Sequence, residues 1–387
     1  MKKTTLIIAL LFIGLSLFSQ PQQIGDSDTY WEYRNSTLFI TGTGNMPDYP
    51  KNSPIRPWDN IDSPCYLKIA NGITRIGNMA FTGLSNLIGT LEIPSSVISI
   101  GDAAFAQTGF TGNLIIPSSV TSIEHAAFYQ CSGFTGDLAI PSSVTQLGPI
   151  AFTWCTGFEG LLTLSSSLTT IESSTFTNCN FTGNLTIPSS ITKIDVAAFA
   201  HCNGFTGTLT LPSSVTFIGI SAFDSCSGLT SLVLPAGLDT IEISAFRRCS
   251  NLNTITNLNS TPIDIDTSVF SGVNKSACVL KVNTKNLSLY QAAPVWQDFL
   301  IEGVPGLAVK EIEKQKIILF PNPVKNILNI QTTSTVEQVA FYDIAGRMLK
   351  QFYNPNQELN IDNLPNGMYL VKILTSEGEC IRKIIKD

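Results

Sequence analysis

The sequence has few charged residues and almost no histidine. Only 13% of its 387 residues are charged, against about 25% in an average soluble domain. Disorder requires low hydrophobicity and high charge, so the 43% content of apolar residues argues against it. The polar surface must therefore consist mainly of Ser, Thr, Asn and Gly. Because the formal net charge is −6 and a nucleic-acid partner requires a basic stripe, no such partner is expected.

Long apolar runs are also absent, with one exception at the N-terminus. Lys2 and Lys3 precede an apolar run from Leu6 to Phe18, which is too short to span a bilayer comfortably. Small residues follow before Gln20. This pattern predicts a cleaved secretory signal over residues 1–20, with a retained membrane anchor as the alternative. We expect a mature chain without a transmembrane span.

The dominant feature of the sequence is an internal repeat. The string IPSSV occupies 93–97, 116–120 and 140–144, and related strings continue to residue 238. Each string precedes a Phe that follows a small residue, and successive Phe residues are 23 or 24 residues apart. Self-similarity of this kind indicates a solenoid of 23–24-residue coils. The repeat Phe residues that we assign to its core are Phe105, Phe128, Phe152, Phe176, Phe199, Phe223 and Phe246.

One coil can be interpreted residue by residue. Leu138 and Ile140 alternate, so both point inward from a short strand. Pro141 ends that strand, and the stretch that leads to Leu147 suits an irregular or short extended segment. Phe152 and the preceding Ala suggest the start of a helical or 3₁₀ turn. A single coil cannot bury its apolar edge, so the coils must stack on one another.

The full pattern, L-x-I-P-S-S-V-x-x-I-x-x-x-A-F-x-x-C, resembles the BspA-type leucine-rich repeats of bacterial surface proteins over residues 67–275. The segment from Trp31 to Trp58 resembles the hairpin that often precedes such repeats, and the segment from Cys278 to Leu300 resembles their usual terminal segment. Both ends of a solenoid must cover an exposed apolar face. We therefore predict an N-terminal capping hairpin over residues 21–66 and a C-terminal cap over 276–303.

Six of the nine cysteines lie three residues after a repeat Phe and form a ladder of one per coil. Adjacent coils are about 4.8 Å apart, whereas a disulfide requires Cβ atoms about 3.8 Å apart with a specific dihedral angle. We predict small buried hydrophobic residues, with disulfides as the alternative. Cys65, Cys278 and Cys380 lie outside the ladder, and the sequence does not pair them. The ladder is Cys131, Cys155, Cys179, Cys202, Cys226 and Cys249.

Motifs that carry chemistry are absent or explained by the repeat. The sequence has no G-x-S-x-G, no H-E-x-x-H and no C-x-x-C within its coils. His125 and His201 occupy different positions of their coils. Ser190 and Lys193 match S-x-x-K, but Ser190 recurs as Ser143 in an earlier coil. We expect no catalytic residues, no metal site and no cofactor.

The outward strand positions form a neutral and rather flat row. They lack the aromatic and Arg side chains that anchor most interfaces. Two hypotheses stay open: the row provides solubility without charge, or it provides a broad, weak contact face for protein or glycan partners. The candidate binding face consists of Glu92, Ile115, Ala139, Thr163, Thr186, Thr210 and Val233.

A second series of Phe residues recurs in turns of the type G-F-T-G. An exposed aromatic binding stripe is one interpretation of it. However, the series occupies the phase of Leu87 and Leu229 in other coils, which favours a buried spine. It consists of Phe110, Phe134, Phe158, Phe181 and Phe205.

The C-terminal part departs from the repeat. Residues 304–315 are predicted to be a linker, and residues 316–387 show short alternating strands with turn signals, which indicate a small β-sandwich. This segment resembles the C-terminal sorting domain of type IX secretion in Bacteroidetes. The resemblance implies contact with that secretion machinery, export through the periplasm, and release or attachment at the surface. Its motif residues are Pro321, Asn322, Pro323, Asp343, Gly346, Arg347, Leu364, Pro365, Gly367, Tyr369, Lys383 and Lys386.

These observations predict a mainly β fold, in which a leucine-rich-repeat solenoid precedes a small Ig-like β-sandwich. The expected protein is secreted or lies on the outer cell surface and is not an enzyme. The resemblance adds adhesion or an interaction scaffold as the role of its repeats, with protein or glycan partners. The alternative is a structural surface or matrix component without a discrete ligand.

Overall fold

The computed structural model describes residues 21–25, 27–49, 56–307, 317–332, 335–343, 348–375 and 378–387, and for 378–381 the backbone only. The chain divides into two compact units, Met1–Leu307 and Ala308–Asp387. The predicted signal over 1–20, most of the predicted linker, and the motif residues Gly346 and Arg347 lie outside the described residues. Within the described residues, no helix has the length and apolar character needed to cross a membrane.

The described residues of the first unit form short strands and very little helix. An α-helix spans Leu287–Ala292, and 3₁₀ helices span Thr284–Asn286 and Trp296–Asp298. The strands are Gln22–Gln23, Thr29–Arg34, Thr37–Gly42, Gly44–Asn45, Tyr66–Ile69, Ile73–Ile76, Ser99–Ile100, Ser122–Ile123, Leu138–Ala139, Gln146–Leu147, Leu162–Thr163, Thr170–Ile171, Lys193–Ile194, Gly207–Thr210, Phe217–Ile218, Leu229–Leu234, Thr240–Ile241, Thr254–Asn257, Val279–Asn283 and Leu300–Val304.

Each coil contributes to two parallel ladders. In the first ladder, equivalent residues pair in register, as Leu162 does with Leu138. In the second ladder, Ile194 pairs with Ile218 in the same way. Side chains alternate across a strand, so the paired Leu and Ile residues point inward and are buried. Stacking in register confirms the predicted solenoid and gives every coil the same inward positions.

The third side of each coil consists of consecutive turns, so the predicted helical or 3₁₀ turn at Phe152 is wrong. Ile150 and Trp154 flank this Phe with φ angles of 62° and 63°, a left-handed conformation that no right-handed helix accommodates. A backbone ladder holds the turns: the N–H of Phe152 donates to the carbonyl of Thr175 in the next coil at 2.9 Å. The sequence suggested an ordinary helical turn on this side. The backbone ladder between coils, and not local helix propensity, decides its conformation.

Two columns of stacked Phe rings fill the solenoid. In the column of repeat Phe residues from Phe81 to Phe270, successive ring centroids are 5.2–5.8 Å apart. The second series, from Phe110 to Phe205, forms a parallel column and is 0–1% exposed. The buried-spine interpretation of that series is confirmed.

Aromatic residues also close both ends of the main column. Trp58 stacks on Phe81 at 5.5 Å, and its indole N–H donates to the carbonyl of Ala80 at 2.9 Å. At the other end, Trp296 meets Phe270 edge to face at 5.6 Å. A hairpin of Thr29–Arg34 and Thr37–Gly42 joins the first parallel ladder through Tyr66–Ile69. These contacts bury the first and last apolar faces of the stack.

The second unit is a sandwich of two antiparallel sheets around a core of its own. One sheet consists of Ile318–Phe320, Ile327–Gln331 and Glu358–Asn360. The other consists of Met348–Tyr353, Val336–Tyr342, Gly367–Thr375 and Gly378–Lys386. Buried residues of both sheets, such as Ile330 and Val371, share one cluster. The predicted β-sandwich is therefore present, while its Ig-like character stays a prediction.

Candidate binding surfaces

The strand-face row is the outward series from Glu92 to Val233 in the first parallel ladder. Its members are exposed, except for Val233, which is half-buried. Thr163 pairs in register with Ala139, and Thr210 pairs with Val233. The row therefore recurs at one outward phase in seven coils, and these two pairs show neighbouring members in register.

Within the row and its continuation along the ladder, charge is confined to the ends, although Asp137 is exposed beside the middle of the row. Lys68 lies next to Glu92 and forms an ion pair with it, and beyond Val233 the ladder continues through Lys281 and Glu302. The middle of the row is neutral and carries Ile115, whose side chain is 73% exposed. Its chemistry suits weak contacts over a wide area, because it offers hydroxyl and methyl groups and no deep pocket.

A second exposed Thr series is largely used by the fold itself. The hydroxyl group of Thr145 donates to the carbonyl of Thr121 in the preceding coil at 3.4 Å. The hydroxyl group of Thr192 does the same to Thr169 at 3.2 Å. These hydroxyl groups therefore bond coil to coil.

The cysteine ladder consists of free thiols. All six are 0% exposed, and each Sγ donates to the carbonyl of a repeat Phe in the preceding coil at 3.0–3.3 Å. Burial raises the pKa of every ladder thiol, to about 11 for Cys131 and about 12 for Cys202. Reactive thiols require lowered pKa values and exposure, so these thiols serve packing. Cys65 and Cys278 are also free and buried.

The two histidines lie in different surroundings and not in a common site. Nδ1 of His125 lies 2.9 Å from the Asp102 carboxylate, and both side chains are about half exposed. His201 lies near Asp224. Lys193 pairs with Asp195 at 3.1 Å. In the part of the chain that the structure describes, no three His, Cys, Asp or Glu residues form a group that could hold a metal ion.

An ion pair between a buried carboxylate and a partly exposed guanidinium group links two of the later coils. Asp224 is 2% exposed, and its carboxylate lies 2.5 Å from Nη2 of Arg247. Burial alone would raise the pKa of Asp224, but the hydrogen bond and the charge of Arg247 outweigh it and lower the pKa. This pair joins two neighbouring coils on the turn side.

The turn side carries two rows of exposed and half-buried residues that the sequence alone did not indicate. One row lies two residues after the repeat Phe and includes Gln107, Gln130 and Trp154, which is 46% exposed. Another row lies three residues before the repeat Phe and includes Asp102 and His125. The sequence shows that these residues recur at fixed positions of the coil. Only the structure of the turns shows that these positions face outward.

The sorting-domain motifs converge at one end of the sandwich. The side-chain amide of Asn322 donates to the carbonyl of Lys383 at 3.2 Å and accepts from the N–H of Ile385 at 2.8 Å. Lys386 pairs with Gly367 on one side and with Val324 on the other. The first, third and last motifs therefore meet, although up to 65 residues separate them in the sequence.

The remaining motif residues support this arrangement. Leu364 is buried, and the hydroxyl group of Tyr369 donates to the carbonyl of Pro365. Burial and then the nearby Asp343 carboxylate raise the pKa of Tyr369. Pro321, Pro323, Pro365 and Lys383 are exposed. The arrangement offers an exposed, rigid surface in which both termini of the unit take part.

Comparisons with known proteins identify both units. Residues 60–182 and 145–277 match the model of the family described as "BspA type Leucine rich repeat region (6 copies)". Residues 318–387 match the model of the secretion system C-terminal sorting domain. No curated protein sequence matches the chain.

Similar solved structures include a leucine-rich repeat protein from Eubacterium ventriosum. It is 21% identical, with 65% of this chain and 94% of that chain covered and a TM-score of 0.37. A leucine rich cell surface protein from Faecalibacterium prausnitzii is 20% identical, with 76% and 96% covered and a TM-score of 0.41.

Proposed function

Since this chain belongs to the BspA-type leucine-rich repeat family, we propose that its repeats bind a protein or glycan partner as a non-enzymatic adhesion or interaction scaffold. Its C-terminal sorting domain makes it a secreted or cell-surface protein. We further propose that the signal directs it into the periplasm and that the secretion machinery recognises the converged motifs of the second unit.

The observation that carries the binding proposal is the continuity of the strand-face row. Seven coils present outward residues at the same phase, and charge appears only at Glu92 within the row. A solenoid surface of this kind is extended and repetitive, which suits contact with a long or repetitive partner. Catalysis would require a nucleophile, a base and an orienting group in one place, and the described residues do not bring such a set together.

The experiment is a binding screen with residues 21–387. The immobilised chain is exposed to panels of matrix proteins and glycans, and binding is followed by surface plasmon resonance. The variant Thr163→Arg/Thr186→Arg/Thr210→Arg should abolish saturable binding of a long partner, such as a matrix protein or a polymeric glycan, because three guanidinium groups disrupt the neutral row. The matched control is Thr145→Arg/Thr169→Arg/Thr192→Arg on the second Thr series, which should bind normally. Equal loss in both variants, or in neither, contradicts the proposed surface.

A structural role without a discrete ligand is the second candidate. The coil-to-coil bonds of Thr145 and Thr192 favour it, since they show hydroxyl groups that serve the fold. This candidate predicts no saturable binding in either panel and no effect of the Arg substitutions. A single saturable partner would contradict it.

A further inference from the structure

A groove runs across the turn side of the first coils, between the two exposed rows described above. Ala103, Ala106 and Ala126 line its floor with methyl groups only, which leaves space between the larger side chains around them. The groove has a volume of about 490 Å³, within the range of about 300–1,000 Å³ typical of small-molecule sites. It therefore has the dimensions of a ligand site, unlike the flat strand-face row.

The walls of the groove offer hydrogen-bonding groups of both kinds. Asn78, Asp102 and His125 form one wall, and Gln107 stands on the other. Nε2 of Gln107 donates to Oε1 of Gln130 at 2.7 Å. This bond uses one donor and one acceptor, so Oε1 of Gln107 and Nε2 of Gln130 can still bond a ligand. A ligand hydroxyl group can both donate and accept a hydrogen bond, so it can bond to both of these remaining groups.

Two tyrosines line the groove beside these polar groups. Tyr49 and Tyr129 are half-buried, so part of each side chain faces the cavity. The hydroxyl group of Tyr49 is buried and has no hydrogen-bond partner among the described residues. Trp154 continues the Gln107–Gln130 row next to the groove. Aromatic rings combined with polar groups at their edges suit a ligand with apolar faces and hydroxyl rims.

The backbone of the groove leaves no edge for an extended peptide. The N–H of Ala103 donates to the carbonyl of His125 at 2.8 Å, and the N–H of Gln107 donates to the carbonyl of Tyr129 at 2.7 Å. Peptides that add a strand need free backbone groups on an exposed edge. The turn-side ladder has already paired these groups, so recognition here must proceed through side chains.

The charge around the groove restricts the class of ligand that it can bind. Two arginines lie beside the groove, where Arg56 and Arg75 donate to its lining residues Met79 and Asn78, but both form ion pairs with carboxylates. The carboxylates of Asp48, Asp59, Asp102 and Glu124 outnumber them, so the surroundings of the groove are net negative. A negative surface repels anionic polymers. We infer that this groove binds a neutral oligosaccharide. The inference rests on the proposed function: it adds to the scaffold a second site, on the turn side, for a short neutral oligosaccharide, while the strand face keeps its long or repetitive partner.

The test uses residues 21–387 and isothermal titration with cellohexaose, xylohexaose, mannohexaose and N-acetylchitohexaose, with oligogalacturonate as the anionic probe. At least one neutral hexasaccharide should bind with a Kd of about 1 mM or better, and oligogalacturonate should not bind. Ala106→Tyr fills the floor, and Tyr129→Ala removes a ring. Each should weaken binding at least about tenfold. Positions 106 and 129 are equivalent in neighbouring coils, so each substitution introduces the residue that the other coil already has there. The fold should therefore persist, which thermal melts can verify.

The strand-face variant Thr163→Arg/Thr186→Arg/Thr210→Arg separates this inference from the proposed function. It should bind the hexasaccharide normally. If this variant abolishes hexasaccharide binding and the groove variants leave it intact, the groove inference is overturned and the scaffold role is retained. Failure of all four neutral probes, or binding of oligogalacturonate alone, would also overturn the groove. A protein partner found in the wider screen would then still support the scaffold, whereas a complete lack of partners would defeat both.

Discussion

The repeat unit and the sorting unit are both built from β-strands, but they differ in how far along the chain their contacts reach. Phe152 stacks on Phe128 and Phe176, one coil away on each side. In the sorting unit, Asn322 bonds residues 61 and 63 positions further on. The repeat unit is therefore a sum of neighbour interactions, whereas the sorting unit depends on both of its ends being present.

This difference determines which residues tolerate replacement. In the repeats, a neighbouring coil often shows an acceptable substitute at the same phase, as Thr108 does for the ladder cysteines. Its hydroxyl group donates to the carbonyl of Phe105 at 2.8 Å. The sequence of the sorting unit has no repeat, so no equivalent position shows which residue could replace Asn322. The following predictions test the contrast, beginning with the largest expected effect.

Deletion of residues 316–387 should abolish export to the surface or the medium and leave folded repeats in the periplasm. The repeats have a separate core and should fold without the sorting unit. Cell fractionation with limited proteolysis measures both outcomes. The control is the full-length chain with Phe152→Ala, which keeps the sorting unit. Unchanged export of the truncated chain would refute the sorting role.

Alkaline pH should destabilise the repeats through the cysteine ladder. Burial raises the pKa of these thiols to about 11 for Cys131 and about 12 for Cys249, while an unfolded thiol has a pKa of about 8.5. The stability from protonated thiols is thus fully present below pH 8.5 or so and is lost as pH rises toward the folded pKa values. Six thiols give a slope of up to about 8 kcal/mol per pH unit.

The slope of the unfolding free energy against pH provides the measurement, with urea titrations between about pH 8 and 10. The variant Cys155→Ser/Cys179→Ser/Cys202→Ser should lose about 4 kcal/mol per pH unit of that slope, since three thiols no longer titrate. An identical slope in both chains would show that the ladder does not govern alkaline unfolding.

Phe152→Ala should destabilise the repeat unit by about 3–5 kcal/mol. The substitution opens a cavity in the middle of the Phe column and removes stacking on both neighbours, at 5.2 Å and 5.8 Å. Trp154→Ala, two residues away on the exposed row, is the matched control and should change stability by less than about 0.5 kcal/mol. Urea unfolding followed by circular dichroism compares them. Equal losses of stability in the two variants would show that the Phe column does not stabilise the repeat unit more than the exposed row does.

Asn322→Ala should destabilise the sorting unit alone, by about 0.5–1.5 kcal/mol, since it removes two hydrogen bonds to exposed backbone groups of the last strand. Hydrogen exchange should show faster exchange at Ile385 and none of this effect in the repeats. The exposed Asn366→Ala is the control in the same unit. If Ile385 exchanges at the original rate, Asn322 does not hold the last strand.

Much of the repeat unit could be predicted from its sequence because its contacts recur at a fixed spacing. The phase of Phe152 and Cys155 alone predicted their burial, and the outward positions from Glu92 to Thr210 were located correctly. The turns were not predicted: Ile150 and Trp154 adopt left-handed conformations that nothing in their identity requires. In the sorting unit, the motifs were recognised individually, but their convergence on Lys386 was not visible.

The sequence by itself determined the period, the two Phe columns, the free-thiol ladder and the division into a repeat unit and a sorting unit. Each of these follows from spacing and composition, which are properties of the linear chain. Only the tertiary structure decided the turn-side backbone ladder, the groove between Asp102 and Gln107, and the meeting of Asn322 with the last strand. Those features arise when residues of neighbouring coils, or of opposite ends of a unit, are hydrogen-bonded to each other, and the order of residues does not encode that pairing directly.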